Sequence, residues 1–458
     1  MLLFPRASWV FLAASLASGV PSRAAEPPPL HATLRTWADD AWFKALDRNG
    51  AADGRLSAKG ILQRFHRLTD DEYKLDFVSK DYTLLEDYLW HRRSRGLRYA
   101  TGSVNPRDLA EALDFKVLLP MGRGWSFDAW FTRDRSVHLD RNLLRVAVDR
   151  RWASGCFARA LGTLGAVKPD SDLELGGGWR SEDERSEVLV AAVLLDAFND
   201  LIYQELTIHP DYADTALDYE RQPMALRAEV DVFVTPRLRL EAYGAITREA
   251  VVRAYEQRDP AMGFRQSEAY GFAGALVEWA FSNDAAAGLT VSHVAAGLDR
   301  EPLPGAPVEE TFSLREQETR WGGFALLRLH PRWRLESWAL RELRPETRDA
   351  PDSSALHDVD YEDRSWMGLV QLVHGGEGGF AGGLAVDFDL RDTLRGDGEI
   401  PIRFQGLGYH NVRLRADVGW RFEGRGYVLA GASFDLDGDP QNERRRFDGA
   451  RARFELFF

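Results

Sequence analysis

Between Val412 and Phe422 every second residue is apolar: Val412, Leu414, Ala416, Val418, Trp420 and Phe422. The residues between them are Arg413, Arg415, Asp417, Gly419 and Arg421. After the turn Glu423-Gly424-Arg425-Gly426 the pattern resumes, with Val428, Ala430, Ala432, Phe434 and Leu436 on one face and Gly431, Ser433 and Asp435 on the other. A third stretch sets Ala450, Ala452, Phe454, Leu456 and Phe458 against Arg451, Arg453 and Glu455. A strand projects successive side chains to opposite faces, so each stretch is a strand with one greasy and one charged side.

A soluble sheet alternates in the same way when one face covers a core. Two features argue against that here. The sequence stops on Phe458, where soluble domains usually end in a polar, frayed tail. The apolar face also carries aromatics at a strand end, Trp420 and Phe422, as an interfacial girdle does. A terminal Phe458 with Leu456 and Phe454 two and four residues before it resembles the last strand of Gram-negative outer-membrane β-barrels. The resemblance extends through the C-terminal half, where the alternation repeats. It implies an all-β, transmembrane, antiparallel up-and-down barrel in the outer membrane. It further implies that Phe454, Leu456 and Phe458 form the signal read by the barrel-assembly machinery.

The first residues fit a secreted protein. Arg6 precedes an uncharged stretch from Ser8 to Val20, and Ser22 and Ala24 are placed for cleavage, which reads as a signal peptide over residues 1–24. No run of about twenty apolar residues follows, the length a spanning helix needs; the longest, Val188 to Leu195, is strand-sized. Residues 25–70 read as a short helical segment, periplasmic or plug-like, with Leu34, Trp37, Trp42 and Leu46 followed by Ile61, Phe65 and Leu68. Its central turn resembles a calcium-binding loop, with Asp47, Asn49 and Asp53 as weak candidate ligands. Ala51 and Ala52 interrupt that pattern and Gly60 stands where a bidentate Glu belongs, so a polar turn is the reading preferred.

Residues 71–458 are assigned to the barrel. Seventeen alternating stretches can be placed between residues 109 and 458. Short turns such as Met121-Gly122-Arg123, Thr235-Pro236-Arg237 and His330-Pro331-Arg332 alternate with longer acidic connections, the layout of periplasmic turns and outer loops. Both the first and the last stretch run downward, and bacterial single-chain barrels have even strand numbers. One more upward strand is therefore expected within 72–103, at Tyr73–Val78 or Leu97–Ala100, giving eighteen strands with sixteen the next count. Stretch 402–422 is about twice the length a crossing needs and should stand clear of the membrane on the outer side.

The face opposite the lipid stripe is charged in both signs. By parity Arg227, Glu229, Asp231, Arg237, Arg239 and Glu241 point inward, as do Asp387, Asp389, Arg413, Arg415, Asp417, Asp435, Arg451, Arg453 and Glu455. Unpaired charge in hydrocarbon costs several kcal/mol, so these residues must meet water or one another. They are the candidate pore-lining set, and a barrel of this strand number is wide enough for water. A net charge of -13 disfavours nucleic acid, and Cys156 as the single cysteine leaves no disulfide framework. The ten His are scattered, and nucleophile, phosphate-loop and dinucleotide-loop patterns are absent, so neither catalysis, nor a cofactor, nor a metal centre is expected. The expected partners are outer-membrane lipid, the assembly machinery, a hydrophilic solute or polysaccharide, and a periplasmic export partner. Three functions stay open: export of a secreted polysaccharide, placed slightly ahead, a general diffusion porin, and a plugged structural or adhesion barrel.

The terminal strand gives a direct test. Deleting Phe458, or replacing it by Asp, should abolish the heat-modifiable barrel and send the chain to periplasmic proteases. Normal yield of barrel from the truncated protein would remove the assignment.

Overall fold

The computed structural model describes residues 95–458 except 106–107, 136–139, 166–171, 184, 196, 198–214, 223, 257–262, 305–310, 350–358, 376–377, 396–409, 423–425, 437–446 and 458. The signal peptide, the helical segment 25–70 and the calcium candidates Asp47, Asn49 and Asp53 lie outside the described residues, as does the side chain of Phe458.

The described chain is a sequence of strands. The first seven are β1 (Arg95–Asn105), β2 (Asp108–Gly122), β3 (Trp125–Arg135), β4 (Asp140–Arg151), β5 (Cys156–Gly165), β6 (Asp172–Arg180) and β7 (Glu187–Leu194). Two interrupted strands follow, β8 (Thr215–Arg221) running into β9 (Met224–Thr235), and β10 (Leu238–Thr247) running into β11 (Ala250–Glu256). Next come β12 (Gly263–Ser282), β13 (Ala285–Pro302), β14 (Phe312–His330), β15 (Trp333–Asp349), β16 (Val359–His374) and β17 (Gly379–Arg395). The last three are β18 (His410–Phe422), β19 (Gly426–Asp435) and β20 (Phe447–Phe457).

Every strand of the ring pairs antiparallel with its neighbours. β7 pairs with β9, β10 with β12, and β8 with β11, so each interrupted strand counts once around the barrel and the ring holds eighteen strands. Closure is made by β1 on β20, in register from Gly96↔Phe457 to Ser103↔Ala450. β1 is the upward strand that parity required, and it lies over the second of the two expected positions. Of stretch 402–422 only β18 falls within the described residues. Among the described residues the long strands are β12 to β17, of 16 to 20 residues each.

Parity assigns the two faces. Side chains on the concave side of a closed barrel crowd one another, while those on the convex side splay apart. One parity set is exposed and apolar: Leu289 is 71% exposed and Phe281 60%, with Leu119, Leu175, Val418 and Trp420 alike. The other is polar and deeply covered: Arg453 is 4% exposed and Glu455 0%, with Arg239, Glu278 and Arg413 alike. The molecule is greasy outside and charged inside, the reverse of a soluble domain.

Aromatics mark the edges of the outer apolar band. Trp125, Trp279, Phe281, Trp333, Phe380, Trp420 and Phe422 are exposed at the end carrying the short turns and the last strand's terminus. Trp321, Trp366, Phe434 and Phe447 form an upper row, eight to ten residues along their strands from that end. At about 3.3 Å per residue and a tilt of about 40°, the rows lie roughly 20–25 Å apart, the height of a barrel's hydrocarbon belt. Above the upper row the outer face turns polar, with exposed pairs Arg315–Asp299 at 2.7 Å and Arg265–Glu220 at 2.7 Å. The extra length of β12 to β17 therefore stands outside the membrane.

This placement sets two substitutions apart. Val418→Arg, in the lower half of the band, should cost about 2–4 kcal/mol, whereas Arg315→Ala, in a solvated pair above it, should cost less than about 1 kcal/mol. Urea unfolding of the refolded barrel in detergent or lipid vesicles measures both; equal costs would mean that the band is misplaced.

Candidate functional site: the charged inner wall

Sequence alternation carries one parity of each strand to the inner face, and antiparallel register then brings opposite charges together. On β4 to β7, Arg159 holds Asp149 bidentately, both bonds 2.8 Å, and Arg180 reaches Glu187 at 2.7 Å. Arg227 on β9 meets Glu174 on β6 at 3.1 Å and also contacts Glu229. Arg239 on β10 sits among three carboxylates: Asp231 at 2.8 Å, Glu241 at 2.7 Å and Glu278 at 3.8 Å. On β14 and β15, Arg320 lies 2.6 Å from Glu342 and 2.8 Å from Glu318, and Arg344 lies 2.8 Å from Glu318. The ladder continues across the seam. Arg415 meets Asp387 at 2.6 Å, Arg451 meets Asp417 at 2.5 Å, and Glu455 accepts from Tyr427 at 2.8 Å with Arg98 and Arg453 each 3.5 Å away.

The Arg451–Asp417 pair skips a strand. Gly431 on β19 stands in register between them, opposite Asp417 on one side and Arg451 on the other. A Cβ there would strike the Asp417 carboxylate, so the missing side chain is what lets β20 reach β18.

Each expected inward residue on a strand whose side chain is described carries the expected parity. Arg237 does not belong to the set, because it falls in the β9–β10 turn and is exposed. Asp389 and Asp435 lie on β17 and β19, opposite Asn411 and Arg413, with side chains outside the described ones. An Arg415→Ala substitution, mild for a charge in open water, takes on a larger cost here because the pair is buried and Asp387 would lose its guanidinium.

The wall also has an inner apolar band that a purely charged face does not anticipate. Leu276, Phe324 and Leu326 are buried together on β12 and β14, with Tyr243 and Trp338 against them, and Leu369 and Ala385 continue the band. Val193, Leu195, Ala225 and Ala245 extend it past β7. Charged tiers lie on either side of it, Arg239–Glu278 toward the short turns and Arg320–Glu342 away from them. The signal in the sequence was the unbroken run Val188 to Leu195, apolar on both parities, whose inner members Leu189, Ala191, Val193 and Leu195 are all buried.

Among the described residues no group of three or more His, Cys, Asp and Glu is placed to hold a metal ion. His293 faces outward and its Nδ1 lies 2.8 Å from Thr319 Oγ1, while Ser292 takes the opposite parity.

Closure, even strand number, an apolar belt between aromatic girdles and a charged interior together define an integral β-barrel of the Gram-negative outer membrane. No family model and no curated protein sequence matches the chain. Solved structures of similar architecture include a bacterial polysaccharide outer membrane secretin, 10% identical over 80% of this chain and 99% of that one, at a TM-score of 0.35. OccK11 (OpdR) of Pseudomonas aeruginosa is 10% identical over 80% of this chain and 94% of that one, at 0.36. CdiB from Acinetobacter baumannii is 10% identical over 80% of this chain and 60% of that one, at 0.38. Likeness of this order carries no information on cargo.

The skipped-strand pair is open to a stability test. Arg451→Met leaves Asp417 buried without its guanidinium and should cost about 3–5 kcal/mol. Adding Asp417→Leu should recover most of that loss, and Gly431→Val should imitate the single substitution. A double-mutant cycle read by urea unfolding checks this, and additive losses would show that the pair is not coupled.

Proposed function

We propose that the barrel is a channel moving hydrophilic cargo across the outer membrane. The observation that supports this most is the ring of buried ion pairs on the inner wall of an eighteen-strand barrel. Barrels of about this size enclose an aqueous path, and alternating guanidinium and carboxylate groups set up a transverse field that orients hydroxyl-bearing solutes. The long strands β12 to β17, which rise above the apolar belt, fit a conduit for a polymer. An exported polysaccharide is therefore placed ahead of small diffusing solutes, with a periplasmic export partner supplying the chain end. On this reading Arg227, Glu229, Asp231, Arg239, Glu241, Asp387, Asp389, Arg413, Arg415, Asp417, Asp435, Arg451, Arg453 and Glu455 line the path.

The purified barrel should give stable single-channel steps in planar bilayers, and their complete absence would remove the channel reading in favour of a plugged structural or adhesion barrel. Release of exopolysaccharide should fall in a strain lacking the protein; unchanged release with steps present would leave a diffusion porin. Replacing Arg413, Arg415, Arg451 and Arg453 by Ser should reduce anion preference. A barrel that loses stability while keeping its ion preference would assign those arginines to the wall alone.

A further inference from the structure

One cation on the outer face stands between two tryptophans at the height of the upper aromatic row. Arg341 on β15 lies in register between Trp321 on β14 and Trp366 on β16. Both tryptophans point outward, 40% and 48% exposed, and the Arg341 guanidinium lies 5.2 Å from the Trp366 ring centre. Arg341 shares their parity, so it faces the lipid and not the lumen, whereas its neighbour Glu342 faces inward to Arg320.

Height along the strand places it at the membrane surface. Arg341 is eight residues above Trp333, which at about 3.3 Å per residue and a tilt of about 40° is roughly 20 Å above the lower girdle. Below it the same face is hydrocarbon-facing, with Leu327, Leu329 and Val370 exposed. Above it two outward arginines are already matched, Arg364 with Glu362 and Arg315 with Asp299. Among the described residues Arg341 joins no ion pair. A guanidinium cannot shed its proton, so at this depth its anion must come from the surrounding layer.

We propose that Arg341, framed by Trp321 and Trp366, binds the phosphate of an outer-leaflet glycolipid, lipopolysaccharide being the phosphorylated lipid of that leaflet. The chemistry fits in three respects. Tryptophans seat at the headgroup level with their indole edges toward it. The planar fork of Arg matches two phosphate oxygens at once. The apolar surface below, Leu327 to Val370, receives the acyl chains of the same molecule.

The test uses the full-length barrel extracted from outer membranes in mild detergent, with retained lipopolysaccharide counted by native mass spectrometry. Arg341→Gln should lower the retained fraction roughly fivefold, the factor for one interfacial cation on an anionic lipid. Arg341→Lys should fall between the two, since it keeps the charge and loses the fork. Arg315→Gln, an already paired arginine higher on the same face, should retain the native amount. Equal retention by Arg341→Gln and the native protein would overturn the site, as would equal loss in Arg315→Gln. Release of the bound species by millimolar inorganic phosphate, with no glycolipid mass detected, would also overturn it. Heat-modifiability confirms that each variant is folded, and if Arg341→Gln fails to fold, the Arg341→Lys and Arg315→Gln comparison carries the result.

Discussion

Within hydrocarbon an unpaired backbone N–H or C=O costs several kcal/mol, because no water is present to take its place. A sheet can satisfy that condition only by having no edge. In this protein the requirement falls on one seam, where β1 meets β20 over Gly96↔Phe457 to Ser103↔Ala450. Every other ladder joins near neighbours in the chain, while this one joins strands more than three hundred residues apart. The even strand number follows, since first and last strands must run antiparallel to pair. The four inner residues Arg98, Arg453, Tyr427 and Glu455 reinforce the same seam with side-chain contacts.

Closure fixes what the side chains can do. Outward residues are splayed and meet lipid, so apolar residues there need no close partner. Inward residues are crowded, and long charged side chains lie against the wall and against each other. A buried pair contributes little net stability, but removing one partner strands the other. The ladder from Asp149 to Glu455 is thus better understood as setting a rigid wall of fixed polarity than as holding the barrel together. The inner apolar band around Phe324 and Leu276 supplies packing where the charged tiers do not.

Much of this was legible in the sequence because a strand's period of two is nearly free of context. Val418, Trp420 and Arg415 disclose their faces without knowledge of any neighbour, and parity alone demanded one more strand within 72–103, where β1 covers the second of two expected positions. What was not legible is whatever depends on register. That Arg415 meets Asp387, or that Arg451 passes over Gly431 to Asp417, is decided by the stagger of strands that sequence alone does not align. The inner apolar band escaped for a related reason. Leu276 and Phe324 stand among charged residues of the same parity, and only the curvature of the closed sheet gathers them into one surface.

The seam also decides on which side the wall starts and finishes. β1 begins at Arg95 beside the end of β20, on the rim that carries the short turns, so the wall of the barrel starts and finishes at one and the same mouth.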